Sequence, residues 1–149
     1  MADRNGLQRV VMVYRPENFQ SALEEFRNVL GITDFDGPHD LHALGLRIVL
    51  SWDTGIEIIT PMAQGAYVEA MWEVLNTKGE GVFNLVYQVD DLSRAEQRAA
   101  LHGRPRVGGH IDALAVQDAW RERFRMALEA PLPPIAGVPV TLIQLETRN

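Results

Sequence analysis

Two stretches of this chain repeat one another. Residues 21–31 and 93–103 share a spacing from serine to glycine, with matching helix ends. Each follows an apolar run that reads as a buried strand, LQRVVMVY over 7–14 and VFNLVYQV over 82–89. A weak internal repeat of this kind predicts two βαβββ units, of about 5–62 and about 80–147, in a single α+β domain over 1–149. Neither unit has enough helix to cover its sheet alone, so the two are expected to pack together.

Local signals fill in the halves. Asn18 is the expected N-cap of the first helix, with Ala22, Leu23, Phe26, Val29 and Leu30 as one apolar stripe. Gly31 supplies the left-handed residue that ends it. Residues 45–52 and 56–60 read as strands joined by the hairpin signal Asp53-Thr54-Gly55. A linking helix is expected over 65–78. In the second half Asp91 caps a helix that stops at Gly103, and 138–145 is a closing strand. Between them, Ala113, Val116, Trp120, Phe124 and Leu128 recur at helical spacing, while residues 123–128 also alternate like a half-buried strand.

Composition narrows the function. A chain of 149 residues can bury a real core, and its apolar fraction of 46% is ordinary for a globular protein. The net charge of −6 argues against nucleic acid, which needs a basic face. There is no cysteine, which excludes disulfides and thiol catalysis. The N-terminal residues carry no apolar leader core, and no stretch approaches the roughly 20 apolar residues of a membrane span, so no membrane partner and a cytoplasmic location are expected.

Residues 79–92 read GEGVFNLVYQVDDL, and the chain closes on GVPVTLIQLE over 137–146. With the helix ending FRNVLG and the strand IEIITP, in this order, they resemble the vicinal oxygen chelate superfamily. That superfamily includes glyoxalase, methylmalonyl-CoA epimerase, the ring-cleaving dioxygenases and the bleomycin-resistance proteins. The epimerase branch is the most similar, with its GEGxHHIxxxVDD strand. The resemblance implies a curved mixed sheet around a concave cleft, a short helix to about Arg121, a strand over 123–130, and a homodimer.

It also implies a metal site with one ligand from each of four strands. In this sequence those positions fall on Arg9, Glu57, Asn84 and Thr141, with Gln144 as the alternative to Thr141. Arg9 has no acceptor and would repel a cation, and neutral Asn84 and Thr141 bind hard cations weakly. The expectation is no metal and no other cofactor. His39-Asp40-Leu41-His42 lacks a third ligand at a convincing spacing and reads as a polar loop.

Two readings of the cleft stand side by side. Glu57 is either a general acid or base or the partner of Arg9 in a structural ion pair. Asn84 and Thr141 are then donors for a ligand. Arg123 and Arg125 share strand parity, so both or neither face the cleft, and His110 sits in a glycine-rich loop that either edges the pocket or is simply solvated. The sequence favours a metal-independent isomerase, epimerase or lyase that moves a proton next to a carbonyl of a small, carbonyl-bearing or anionic molecule. The alternative is a binding protein that sequesters a small molecule, as the antibiotic-resistance members do. Methylmalonyl-CoA itself is disfavoured, because its epimerase holds the substrate's oxygens with a metal.

Overall fold

The computed structural model describes residues 5–65 and 67–148; positions 1–4, 66 and 149 of the expected domain and linking helix lie outside them. The protein is α+β and divides into two compact units, Arg9–Phe83 and Met1–Gln8 with Asn84–Asn149. The first contains most of β1 (Gly6–Val13), then α1 (Pro16–Leu30), β2 (Phe35–Leu41), β3 (Leu46–Ser51), β4 (Ile56–Pro61) and α2 (Glu69–Thr77). The second contains most of β5 (Gly81–Gln88), then α3 (Leu92–Leu101), β6 (Ile111–Asp112), α4 (Ala113–Val116), α5 (Asp118–Arg123), β7 (Phe124–Pro131) and β8 (Val140–Thr147).

The repeat is visible in the topology. Within the first unit the strand order is β2-β3-β4-β1, and within the second it is β6-β7-β8-β5. In each, the opening strand pairs in parallel with the closing one, and the remaining pairs are antiparallel. A parallel pair needs a crossover connection, and the helix after each opening strand begins it.

Helix α1 starts earlier than the capping residues suggested. Arg15 is extended (φ −65°, ψ 151°) and Pro16 occupies the first turn, where its locked φ suits a helix and its missing N–H costs nothing. Asn18 therefore lies inside the helix. Its amide donates to Glu80 Oε2 at 2.9 Å, and the same oxygen accepts from the Arg15 backbone N–H at 2.9 Å. These bonds hold the Glu80 carboxyl below its ordinary range. At the other end Gly31 is left-handed (φ 68°), as expected. Phe19 and Leu23 pack with Val49 and Ile58, but Val29 and Leu30 are exposed (73% and 57%), so the apolar stripe is covered along only part of its length.

Strand β2 is where the polar loop was expected. Its segment FDGPHDL is an edge strand whose register shifts between Asp36 and His39, around Gly37-Pro38. Edges and bulges are where a sheet tolerates proline. Ion pairs hold the polar side chains: Arg47 Nε lies 2.6 Å from Asp40 Oδ1 and His39 Nε2 lies 2.7 Å from Asp36 Oδ1. The linking helix is shorter than expected, running from Glu69 to Thr77 among the described residues.

In the second unit Asp91 caps α3 as the sequence implies, accepting from the Arg94 N–H at 3.0 Å, and Gly103 is left-handed (φ 77°). Val89, Leu92, Ala130, Leu132 and Leu142 form the core beneath this helix. The helical and alternating patterns of 113–130 are both real and follow one another: α5 ends at Arg123 and β7 begins at Phe124. Trp120 is fully buried, its ring 5.6 Å from that of Phe124. No helix among the described residues is long and apolar enough to cross a membrane. Because the Asp91 carboxylate satisfies an otherwise orphan N–H, Asp91→Ala is expected to cost about 0.5–2 kcal/mol. Urea unfolding with an unchanged m-value would show it, and a loss below about 0.2 kcal/mol would mean that solvent caps α3 equally well.

Candidate functional site

In the first unit, strand parity decides what faces away from α1. Ile58 packs beneath Phe19 and Leu23, so its neighbours Glu57 and Ile59 point to the opposite face of β4. Glu57 lies across from Val11 on β1 and Leu50 on β3, both buried. Arg9, two residues before Val11, reaches the same place. Its Nε lies 2.9 Å from Glu57 Oε1, and both side chains are 6% exposed. The contact is a close charge pair without the alignment of a hydrogen bond. Either charge alone at such a position would cost several kcal/mol, so each residue depends on the other.

In the second unit the same parity places Asn84, Val86 and Gln88 on one face of β5, and Thr141 and Ile143 on one face of β8. Asn84 Nδ2 donates to Thr141 Oγ1 at 2.8 Å. The hydroxyl hydrogen of Thr141 and the carbonyl of Asn84 remain able to meet a ligand. Gln144 has the other parity: its Oε1 accepts from the Leu92 N–H at 2.8 Å, at the start of α3. Thr141, not Gln144, therefore shares the face of Ile143. Two further polar residues lie buried in this unit, Gln88 and Glu129. Glu129 sits across from Ile143 in the β7–β8 pair. It was not among the sequence candidates, although a lone carboxylate within Ala127-Leu128-Glu129-Ala130 is a legible signal.

Three expected ligand contacts stand elsewhere. Arg123 is the last residue of α5 and is exposed, so it shares no strand parity with Arg125. Arg125 falls at a register shift between Phe124 and Met126, which turns it outward to pair with Glu146 at 3.0 Å. His110 is bound to α3: its Nε2 lies 2.8 Å from Glu96 Oε2, while Arg106 Nη1 lies 2.7 Å from Glu96 Oε1. Burial pushes the Glu96 carboxyl up, but the bonds from His110 and Arg106 outweigh it and hold it below its ordinary range. Because α3 packs on the Leu142 side of β8, this cluster belongs to the face opposite Thr141.

These residues do not fit a divalent cation. Among the described residues no group of three or more His, Cys, Asp or Glu is placed to hold one. Arg9 occupies the coordination space of Glu57, and the Thr141 oxygen already accepts from the Asn84 amide, leaving neutral groups that bind hard cations weakly.

No family model matches the chain, and no curated protein does. Solved structures do. A hypothetical protein from Bacillus halodurans C-125 is similar at 17% identity with a TM-score of 0.72, over 99% of this chain and 97% of its own. Methylmalonyl-CoA epimerase from Mycobacterium tuberculosis is similar at 19% identity and TM-score 0.69, over 97% of this chain and 89% of the other. This chain has the vicinal oxygen chelate fold. A third match, methylmalonyl-CoA epimerase in complex with methylmalonyl-CoA and NH4+, has 14% identity and a TM-score of 0.67, over 97% and 99% of the two chains. At these identities the likeness concerns the fold.

On this fold the Arg9–Glu57 pair has a measurable consequence. Arg9→Met strands a buried carboxylate and is expected to cost about 3–5 kcal/mol, whereas Arg9→Met with Glu57→Leu recovers most of that loss. Urea midpoints of the three proteins decide it, and a single variant as stable as the parent would show that the carboxylate reaches water.

Proposed function

We propose that this protein is a metal-independent isomerase, epimerase or lyase that transfers a proton next to a carbonyl of a small organic molecule, with Glu57 as the proton carrier. The observation that carries this reading is the Arg9–Glu57 pair at 2.9 Å, on the sheet face that α1 leaves uncovered. A carboxylate held beside a guanidinium stays ionised, which is the form a general base needs. When it takes a proton from the carbon, negative charge moves to the carbonyl oxygen, and the positive charge of Arg9 beside Glu57 is of the sign that stabilises it. The proton returns from Glu57 to the other face of the carbon in an epimerase, or to a neighbouring atom in an isomerase. In the second unit, Asn84 and Thr141 remain the proposed ligand contacts. The fold is that of epimerases one of which was solved with methylmalonyl-CoA, and this supports the reaction class without naming the substrate here.

The proposal extends to assembly. Exposed Val29 and Leu30 on α1 are apolar surface of the kind that pairing of two chains buries, which supports a homodimer. Sedimentation at low micromolar concentration should give a species of twice 16.7 kDa, and a single species at 16.7 kDa would exclude it.

Incubation with a panel of acyl thioesters and oxo acids in D2O, followed by NMR, tests the chemistry. The expected result is loss of a C–H signal next to the carbonyl that persists after EDTA treatment. Glu57→Gln should slow it by on the order of 10²–10⁴ while keeping the far-UV spectrum, since the amide has the same shape. Exchange that vanishes with chelator would overturn metal independence. Thermal shifts with ligands but no exchange with any of them would instead support the small-molecule binding protein.

A further inference from the structure

The two halves differ at the helix that covers each sheet. With Ser21 matched to Ser93 and Gly31 to Gly103, Leu23 of α1 corresponds to Ala95 of α3, Phe26 to Arg98 and Leu30 to His102. In α1, Leu23 is buried in the core with Phe26 packed beside it. In α3 the smaller Ala95 leaves that space open, and a groove of about 500 Å³ lies beside the helix. Its floor is the core of the second unit, including Val89, Leu132 and Leu142. The residues 135–138 form one lip through a bridge between Ile135 and Val138, and Ile135 is 45% exposed.

The rim of this groove is basic in a chain whose net charge is −6. Arg98, His102 and Arg104 line it, and no carboxylate does. Arg104 is positioned by donating from Nε to the Pro134 carbonyl at 2.9 Å and from Nη1 to the Gly103 carbonyl at 3.0 Å, neutral partners that leave its charge unbalanced. The corresponding groove beside α1, of about 310 Å³, is lined by Glu25 and by no cation. Apolar floor, adequate volume and convergent cationic donors are what a site for a small amphiphile requires.

We propose that the α3 groove binds a small organic acid with an apolar body, its carboxylate held by Arg98 and Arg104 and its hydrocarbon part lying against Ala95, Val89 and Leu142. The exchange of Leu for Ala opens the space and the exchange of Phe for Arg supplies the charge, on one face of one helix. The groove lining does not include Glu57, and the inference holds whatever that residue does.

Calorimetric titration with octanoate, and with octan-1-ol as the uncharged counterpart, tests it on the whole chain. Octanoate should bind with unit stoichiometry, and octan-1-ol at least about tenfold more weakly, the difference one charge-assisted contact makes. Arg98→Glu combined with Arg104→Gln, both exposed positions, should weaken octanoate by at least about tenfold and leave the alcohol unchanged. Ala95→Leu, which restores the side chain of the sister helix, should abolish binding and raise Tm. Absence of octanoate binding at low millimolar concentration, equal affinity for acid and alcohol, or an undiminished affinity in the arginine double variant would each overturn the proposal. The arginine variant decides the matter even if Ala95→Leu fails to fold.

Discussion

A helix can cover only one face of a four-stranded sheet, and this constraint shapes the rest of the molecule. In each half one helix takes the residues of one parity: Val49 and Ile58 beneath α1, Val89 and Leu142 beneath α3. Residues of the other parity are left to satisfy themselves, because strands offer no third direction. Polar groups buried with that parity need partners, or they remain costly. Arg9 finds Glu57, and Asn84 finds Thr141. The parity that builds the core therefore also selects the candidate functional groups.

The repeat and the face of Glu57 were legible in the sequence because they rest on local periodicity and caps. Gly31, Asp91 and Gly103 act through neighbours a few residues away, so no distant contact is needed to read them. What escaped depends on information that is not local. Asn18 looks like a cap, but a proline two residues earlier starts the helix, and Glu80, far along the chain, takes the Asn18 amide. The segment 35–41 is rich in breakers, yet pairing with β3 makes it a strand. Val29 and Leu30 show that periodicity identifies an apolar face without saying how much of it is covered.

The candidate site was readable to the extent that strand register is regular. Glu57 and Arg9 lie on regularly paired strands, so counting by twos from buried neighbours places them correctly. The count fails in β7, where the register shift at Arg125 adds a residue and turns the side chain outward. Arg123 falls outside the strand altogether. Attention to those arginines also obscured Glu129, which lies beyond the shift and is buried. His110 shows a different limit: a loop residue has no parity, and only the fold reveals that Glu96 of α3 holds it.

The burial of Glu57 beside Arg9 is self-consistent electrostatically. A carboxylate buried among Val11, Leu50 and Ile59 needs a positive charge nearby, and a guanidinium on the adjacent strand supplies it permanently, since it does not lose its proton in proteins. Asn84 and Thr141 are neutral, and the amide that donates to the hydroxyl needs no counter-charge. A carboxylate in apolar surroundings with a guanidinium beside it offers the elements of the acid–base chemistry at a carbonyl that we propose.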